Sequence, residues 1–188
     1  LYPEFLNFCV CGLFYQAGIA VVITLSAVYA QLVMKFTTAQ TITLILVVNI
    51  TAAIGAFVFG YVQDRLGHKK TLALTILLWI IMGVMAAFSH GPVSFWIAAN
   101  IAGIAMGSSQ SAGRAVVAVF APAGELAQFY SAWNVAVWGA NVLGPITYGT
   151  VTWLTSGDQR TAILVTTLFF VIGLLILRRV HLPSKTVC

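Results

Sequence analysis

Long stretches of apolar residues follow one another along the chain, each ended by a short interruption of polar residues, glycine or proline. Six stretches, roughly 5–33, 39–63, 70–88, 93–119, 126–155 and 161–180, reach the ~20 residues that an α-helix needs to cross a hydrocarbon core. The interruptions Lys35-Phe36-Thr37-Thr38, Ser89-His90-Gly91-Pro92, Ala121-Pro122-Ala123-Gly124 and Ser156-Gly157-Asp158-Gln159 hold the residue types at which a chain reverses. The pattern predicts an all-α fold, a polytopic membrane helical bundle of six transmembrane helices spanning residues 1–188 with no soluble domain.

Composition agrees with this class. The chain is 61% hydrophobic and 7% charged, with a mean hydropathy of +1.01, against about 25% charged residues in soluble proteins. Nine basic and four acidic side chains cannot cover a water-soluble fold of this length, so membrane lipid is the expected partner of the outer surface. The net charge of +5 does not imply a nucleic-acid partner, because the basic residues are scattered rather than arrayed in a stripe. They sort by topology instead. With the turn at 64–70 in the cytoplasm, Arg65, Lys69, Lys70, Arg114, Arg178, Arg179 and Lys185 lie inside and only Lys35 and Arg160 outside, so both termini are expected to be cytoplasmic. The start at Leu1 rather than Met is what an excerpt of a longer protein would show.

Nothing in the sequence suggests an enzyme. No Ser/His/Asp or paired-carboxylate constellation is available, and no catalytic residue, metal ligand set or cofactor is expected. His68, His90 and His181 fall in turns or the tail; Cys9 and Cys11 sit in an apolar span and Cys188 is terminal, with no metal or redox spacing. Asn49-Ile50-Thr51 matches a glycosylation triplet but lies within a predicted span, out of reach of sugar transfer.

The densest group of charges is Gly60-Tyr61-Val62-Gln63-Asp64-Arg65-Leu66-Gly67-His68-Lys69-Lys70. Its pattern, Gly-x-x-x-Asp-Arg-x-Gly-x-Lys-Lys, resembles the signature loop between the second and third helices of each half of a major facilitator transporter. Six spans with both ends on one side fit half of a twelve-helix carrier, itself two inverted three-helix repeats. An echo of that repeat sets Gly60…Asp64-Arg65 against Gly149…Asp158-Gln159-Arg160. Further matches narrow the likeness: Leu13-Phe14-Tyr15, Gly107-Ser108-Ser109-Gln110-Ser111-Ala112-Gly113-Arg114, Pro122-Ala123-Gly124-Glu125, Gln128-Phe129-Tyr130, Gly144-Pro145 and Arg160-Thr161-Ala162-Ile163-Leu164 occur in this order. Together they resemble the "unknown major facilitator" branch, which includes the vacuolar effluxers of autophagy, and align this chain with its carboxy-terminal half.

The resemblance implies a conformational latch of Gly60, Asp64, Arg65, Gly67, Arg114 and Glu125, in which loop charges pair with an Arg low on the fourth helix and a Glu in the next turn. Gly60 is expected to let a neighbouring helix approach closely, and an Asp64 or Glu125 oxygen to lie within salt-bridge range of Arg65 or Arg114. His68, Lys69 and Lys70 read as lipid-headgroup contacts. Gln16, Gln110, Asn134 and Asn141 are the candidates for the substrate pathway, since the resemblance places the first, fourth and fifth spans beside it; for each, an interhelical hydrogen bond is the bland alternative. Thr24, Ser26, Asn49, Asn100, Ser108, Ser109 and Ser111 are further polar residues of the spans. Gly103-x-x-x-Gly107 and Gly144-Pro145 suit close helix packing and a kink. The branch carries an acidic residue after the aromatic pair of the first span and a Lys in the fifth. This chain has Ala17 and Trp138 there, which are expected to face a common cleft.

Two functions are compatible with these features. One is transport of a small-molecule solute by alternating access, with a second six-helix half as partner. The other is a transporter-derived scaffold among other membrane subunits, without transport.

Overall fold

The computed structural model describes residues 2–183, so Lys185, Cys188 and the rest of 184–188 lie outside the described residues. Six helices follow in order: α1 (Tyr2–Leu32), α2 (Thr38–Leu66), α3 (His68–Ala87), α4 (Pro92–Phe120), α5 (Leu126–Leu154) and α6 (Gln159–Arg179). Their ends have local causes. Thr37 opens α2 with a capping box, its hydroxyl accepting from the Gln40 N–H while the Gln40 side chain accepts from the Thr37 N–H. Gly67 alone separates α2 from α3, at φ 82, a conformation that costs glycine little. Pro92 starts α4, where its missing N–H is no loss. Asp158 caps α6 by accepting from the Arg160 and Thr161 N–H groups.

Large apolar side chains face outward, Val93, Phe57 and Trp153 among them, as lipid-solvated helices require. Helices α1, α2, α3 and α6 are long and apolar enough to cross a membrane. Helices α4 and α5, of 29 residues each, are long enough but more polar than these four. The cause is the group Asn100, Ser108, Ser109, Gln110 on α4 and Gln128, Asn134, Asn141 on α5, residues that lipid would not solvate.

The packing repeats with a three-helix period. Helix α2 lies along α4 as α1 lies along α5, α3 packs on α4 as α6 packs on α1, and α3 and α6 pack on each other. Because each repeat holds an odd number of spans, the second runs inverted relative to the first. Glycines sit at the corresponding close approaches: a Cβ on Gly55 would strike the Ile104 backbone, and one on Gly144 the Ala17 carbonyl. Gly103 and Gly107 meet the backbone of Val48 and Ala52, so the predicted glycine strip on α4 is the seam with α2.

The α3/α6 pair shows the repeat in its side chains. Lys69, second residue of α3, donates to the Arg178 and Val180 carbonyls at the end of α6, at 3.0 and 2.6 Å. Arg160, second residue of α6, donates to the Ser89 carbonyl just beyond α3, at 2.9 Å. Each helix thus closes the open carbonyl end of its antiparallel partner with a cation, and Trp79 and Phe170 stack between them at 5.2 Å. The equivalent positions are therefore Lys69 and Arg160, which corrects the echo that set Asp64-Arg65 against residues 158–160.

Contacts also fix which ends of helices lie together. Glu4 accepts from the His181 N–H, and Tyr130 donates to the Arg114 carbonyl, placing the chain start, the 64–70 turn, the α4–α5 turn and residues 178–181 at one end of the bundle. Tyr29 donates to the Ala86 carbonyl and Tyr148 to Gln159, placing Lys35, His90 and Arg160 at the other.

Candidate functional site

Most polar groups of the spans bond their own helix. Thr24 donates to the Ala20 carbonyl, Asn49 to Ile45, Asn100 to Trp96 and Ser108 to Ile104, each one turn back, so for them the local reading of a polar residue in lipid holds. Gln16 and Gln110 differ. Gln16 is buried in α1, and Gln110 of α4 donates to its side-chain oxygen at 3.2 Å, an uncharged bridge between two helices. The Trp79 indole N–H donates to Ser109, the neighbour of Gln110.

Next to the bridge is Tyr15, which the sequence places in the Leu13-Phe14-Tyr15 match but not among the pathway candidates. The Tyr15 hydroxyl is fully buried beside the Gln16 side chain. It lies against Gly113, where a Cβ would approach it to 2.6 Å, and Gly113 is three residues from Gln110 on α4. Its sequence signals are that match and its place beside Gln16.

Beyond the bridge, toward the far end of the bundle, α1, α2 and α4 part around a cavity of about 390 Å³. Val22 and Ser26 of α1, Val48 and Asn49 of α2, and Ala102 and Met106 of α4 line its walls, with Trp79 and Tyr148 contributed by α3 and α5. None of the described residues lining it is charged. It was invisible in the sequence because its walls are ordinary apolar residues; only helix packing separates them.

The other two pathway candidates are elsewhere. Asn134 and Asn141, two turns apart, are exposed on α5, on the side where Trp138 is 68% exposed. Helix α5 packs on α1 through Trp133, Ala140, Gly144 and Tyr148 instead. Ala17 is completely buried in that seam, its carbonyl against Gly144. The expectation that Ala17 and Trp138 face a common cleft is thus corrected: Trp138 precedes Gly144 by six residues, about 240° around the helix.

The latch residues occupy the end where both described termini lie, but the expected ion pair is not formed. Asp64, Arg65 and Arg114 are exposed and Glu125 half-buried, and none is within 4.0 Å of an opposite charge; among the described residues the ion pair is Glu4 with His181, at 3.6 Å. Solvated charges gain only about 0–1 kcal/mol from such pairing, so nothing at this exposed end forces it. An added Cβ on Gly60 would meet nothing within 4 Å, so Gly60 serves no close helix approach within this chain. His68 bonds Gln63 across the Gly67 turn at 2.7 Å, and Lys69 caps α6.

Three comparisons with known proteins bear on this arrangement. The family described as Vacuole effluxer Atg22 like matches residues 1–187. The chain is 26% identical over 185 residues to the uncharacterized MFS-type transporter YxiO of Bacillus subtilis (strain 168), covering 98% of this chain and 42% of that protein. The fold is similar to the inward-open xylose transporter XylE of E. coli, with a TM-score of 0.79, 19% identity, and coverage of 96% of this chain and 48% of that one. It is equally similar to the E. coli fucose:proton symporter FucP, with a TM-score of 0.81, 16% identity, and coverage of 96% and 43%. The chain thus spans less than half the length of the proteins it matches.

Proposed function

Because the chain belongs to the family of vacuole effluxer Atg22-like proteins, a family of major facilitator transporters, we propose that it is the carboxy-terminal half of a carrier moving a small solute by alternating access. A second six-helix half is its partner, and the solute crosses between the two. The observation that carries this reading is the coverage: nearly all of this chain matches just under half of each sugar carrier, with the fold retained throughout. The family match along the whole chain favours transport over the scaffold alternative.

In this reading the exposed side of α5 that bears Asn134, Trp138 and Asn141 faces the second half, which solvates polar groups that lipid would not. The latch of Gly60, Asp64, Arg65, Gly67, Arg114 and Glu125 acts at the end holding both termini, its charges pairing only in the conformation that closes that end and dehydrates them. That end is the cytoplasmic one. Among the described residues Arg65, Lys69, Lys70, Arg114, Arg178 and Arg179 lie there, against Lys35 and Arg160 at the other.

Reconstitution of the full-length protein tests the reading. Accumulation of a solute in proteoliposomes, lost when a disulfide locks cysteines at positions 134 or 141 to the second half, is the expected result. A full-length protein that carries nothing, with positions 134, 138 and 141 all labelled by a lipid-phase photoprobe, would overturn it.

A further inference from the structure

We infer that Ser26 of α1 and Asn49 of α2 are the hydrogen-bonding contacts for a solute in the cavity between α1, α2 and α4. The inference rests on the transport reading and names the residues of this half that hold what is carried.

The side chains with hydrogen-bonding groups that line the cavity are Ser26, Tyr29, Asn49, Trp79 and Tyr148. Three of them are engaged elsewhere. The Tyr29 hydroxyl donates to the Ala86 carbonyl at 2.9 Å, the Trp79 indole N–H to Ser109 at 3.2 Å and the Tyr148 hydroxyl to Gln159 at 2.6 Å, and all three residues are buried. They shape the cavity but leave it no free donor. Ser26 differs. Most serine and threonine hydroxyls of the spans bond a carbonyl three or four residues back, as Thr24, Ser108 and Thr166 do. The Ser26 hydroxyl has no partner among the described residues, and the residue stands half-buried in the cavity wall. Asn49 is satisfied only in part. It donates one N–H to the Ile45 carbonyl at 2.8 Å, which leaves its second N–H and its oxygen unpaired.

Helix geometry turns both groups to the same space. On α1, Val22, Ser26 and Tyr29 follow at four- and three-residue steps, so Ser26 sits within the stripe that faces the cavity; on α2, Ile45 and Asn49 share a face one turn apart. Asn49 is the twelfth residue of a helix that begins at Thr38, about 17 Å along it and close to the middle of a hydrocarbon core about 30 Å thick. Lipid offers an amide oxygen no donor at that depth. A solute does. About 390 Å³ between the helices admits a small molecule, whose orientation one hydroxyl and one amide fix while the apolar walls pack against it.

The test measures thermal stabilisation of the purified full-length protein by the twenty proteinogenic amino acids, D-xylose and L-fucose, each titrated singly. Among them these compounds present carboxyl, ammonium, amide and hydroxyl groups. At least one is expected to stabilise the protein, and Ala102→Phe, which fills the cavity, to abolish the effect; Ala99→Leu at the half-buried wall should do the same if the larger change impairs folding. Threonine and valine are alike in shape, so Ser26→Thr should bind that compound at least tenfold more tightly than Ser26→Val. Asn49→Leu should weaken its binding about tenfold, with the melting temperature of the free protein within a few degrees of the parent. Equal affinity in either comparison would overturn the inference, as would stabilisation by none of the compounds. So would a lower melting temperature of Asn49→Leu with affinity unchanged, which would assign the Asn49 oxygen to a helix of the second half. Proteoliposome flux separates this from the transport reading: flux untouched by Ser26→Val and Asn49→Leu keeps the carrier and removes the contacts, whereas binding that needs both residues without any flux keeps the contacts and removes the carrier.

Discussion

Gln16, Gln110 and Tyr15 are instances of one rule at the scale of single residues: a polar group in a membrane bundle must find a partner, and where it does not bond its own helix its position carries information. Thr24, Asn49 and Asn100 bond one turn back and hold the local backbone. Asp158 shows the same rule at a helix start. The Thr161 hydroxyl, the Thr161 N–H and the Arg160 N–H hold its carboxyl below the usual carboxylate value. A depressed folded value means that the cap stabilises fully above the ordinary carboxylate range and loses that contribution as pH falls through the lower, folded value. Melting temperature measured in detergent from pH 7 downward should therefore fall in that acid range, and Asp158→Ala should start lower and lose less over the same range. A variant with an unchanged acid slope would remove the cap from the account.

Among elements, glycine placement separates packing from appearance. Gly107 is pressed on the Ala52 backbone of α2, so Gly107→Ala should destabilise the bundle by about 1–3 kcal/mol, read as a lower melting temperature. Gly60 meets nothing, so Gly60→Ala should be neutral or stabilise by about 0.5–1 kcal/mol through helix propensity. Reversal of that order would return Gly60 to a packing role. The α3/α6 clasp makes a second prediction at this scale. Lys69→Ala and Arg160→Ala should each cost about 1 kcal/mol, and because the two contacts lie at opposite ends of a 20-residue helix, the double variant should be additive within about 0.5 kcal/mol. Strong coupling would mean that the pair acts as one unit rather than as two independent caps.

For the whole molecule, the distribution of charge predicts orientation. A cysteine at position 69 should react with a membrane-impermeant thiol reagent only from the cytoplasmic side and one at position 90 only from the opposite side, since the two positions lie at opposite ends of the bundle. Labelling of both from one side would overturn the topology, and exchange of the two sides would invert the placement of the latch. The repeat also divides labour at this scale. Helices α3 and α6 brace each other through their clasp, while α4 carries the bridge to Gln16 and α5 the exposed side bearing Asn134, Trp138 and Asn141.

The sequence alone determined the class, the number of helices and the family, because these rest on local quantities: runs long enough to cross a hydrocarbon core, turn residues between them, and a charged loop whose spacing survives without any partner. Gln16 and Gln110 were legible as polar residues in apolar spans, but that they bridge each other required the packing of α1 on α4. Nothing local tells Gln110 from Asn141, yet one faces α1 and the other is exposed. The tertiary structure alone decided which faces meet, since residues six apart on a helix point about 240° away from each other around its axis. Ala17 and Trp138 were thereby separated, Gly60 was left open, and Lys69 was carried to the end of α6, a contact between residues 111 positions apart. The cavity belongs to the same class of fact: its walls are common apolar residues, and its volume exists only where three helices diverge.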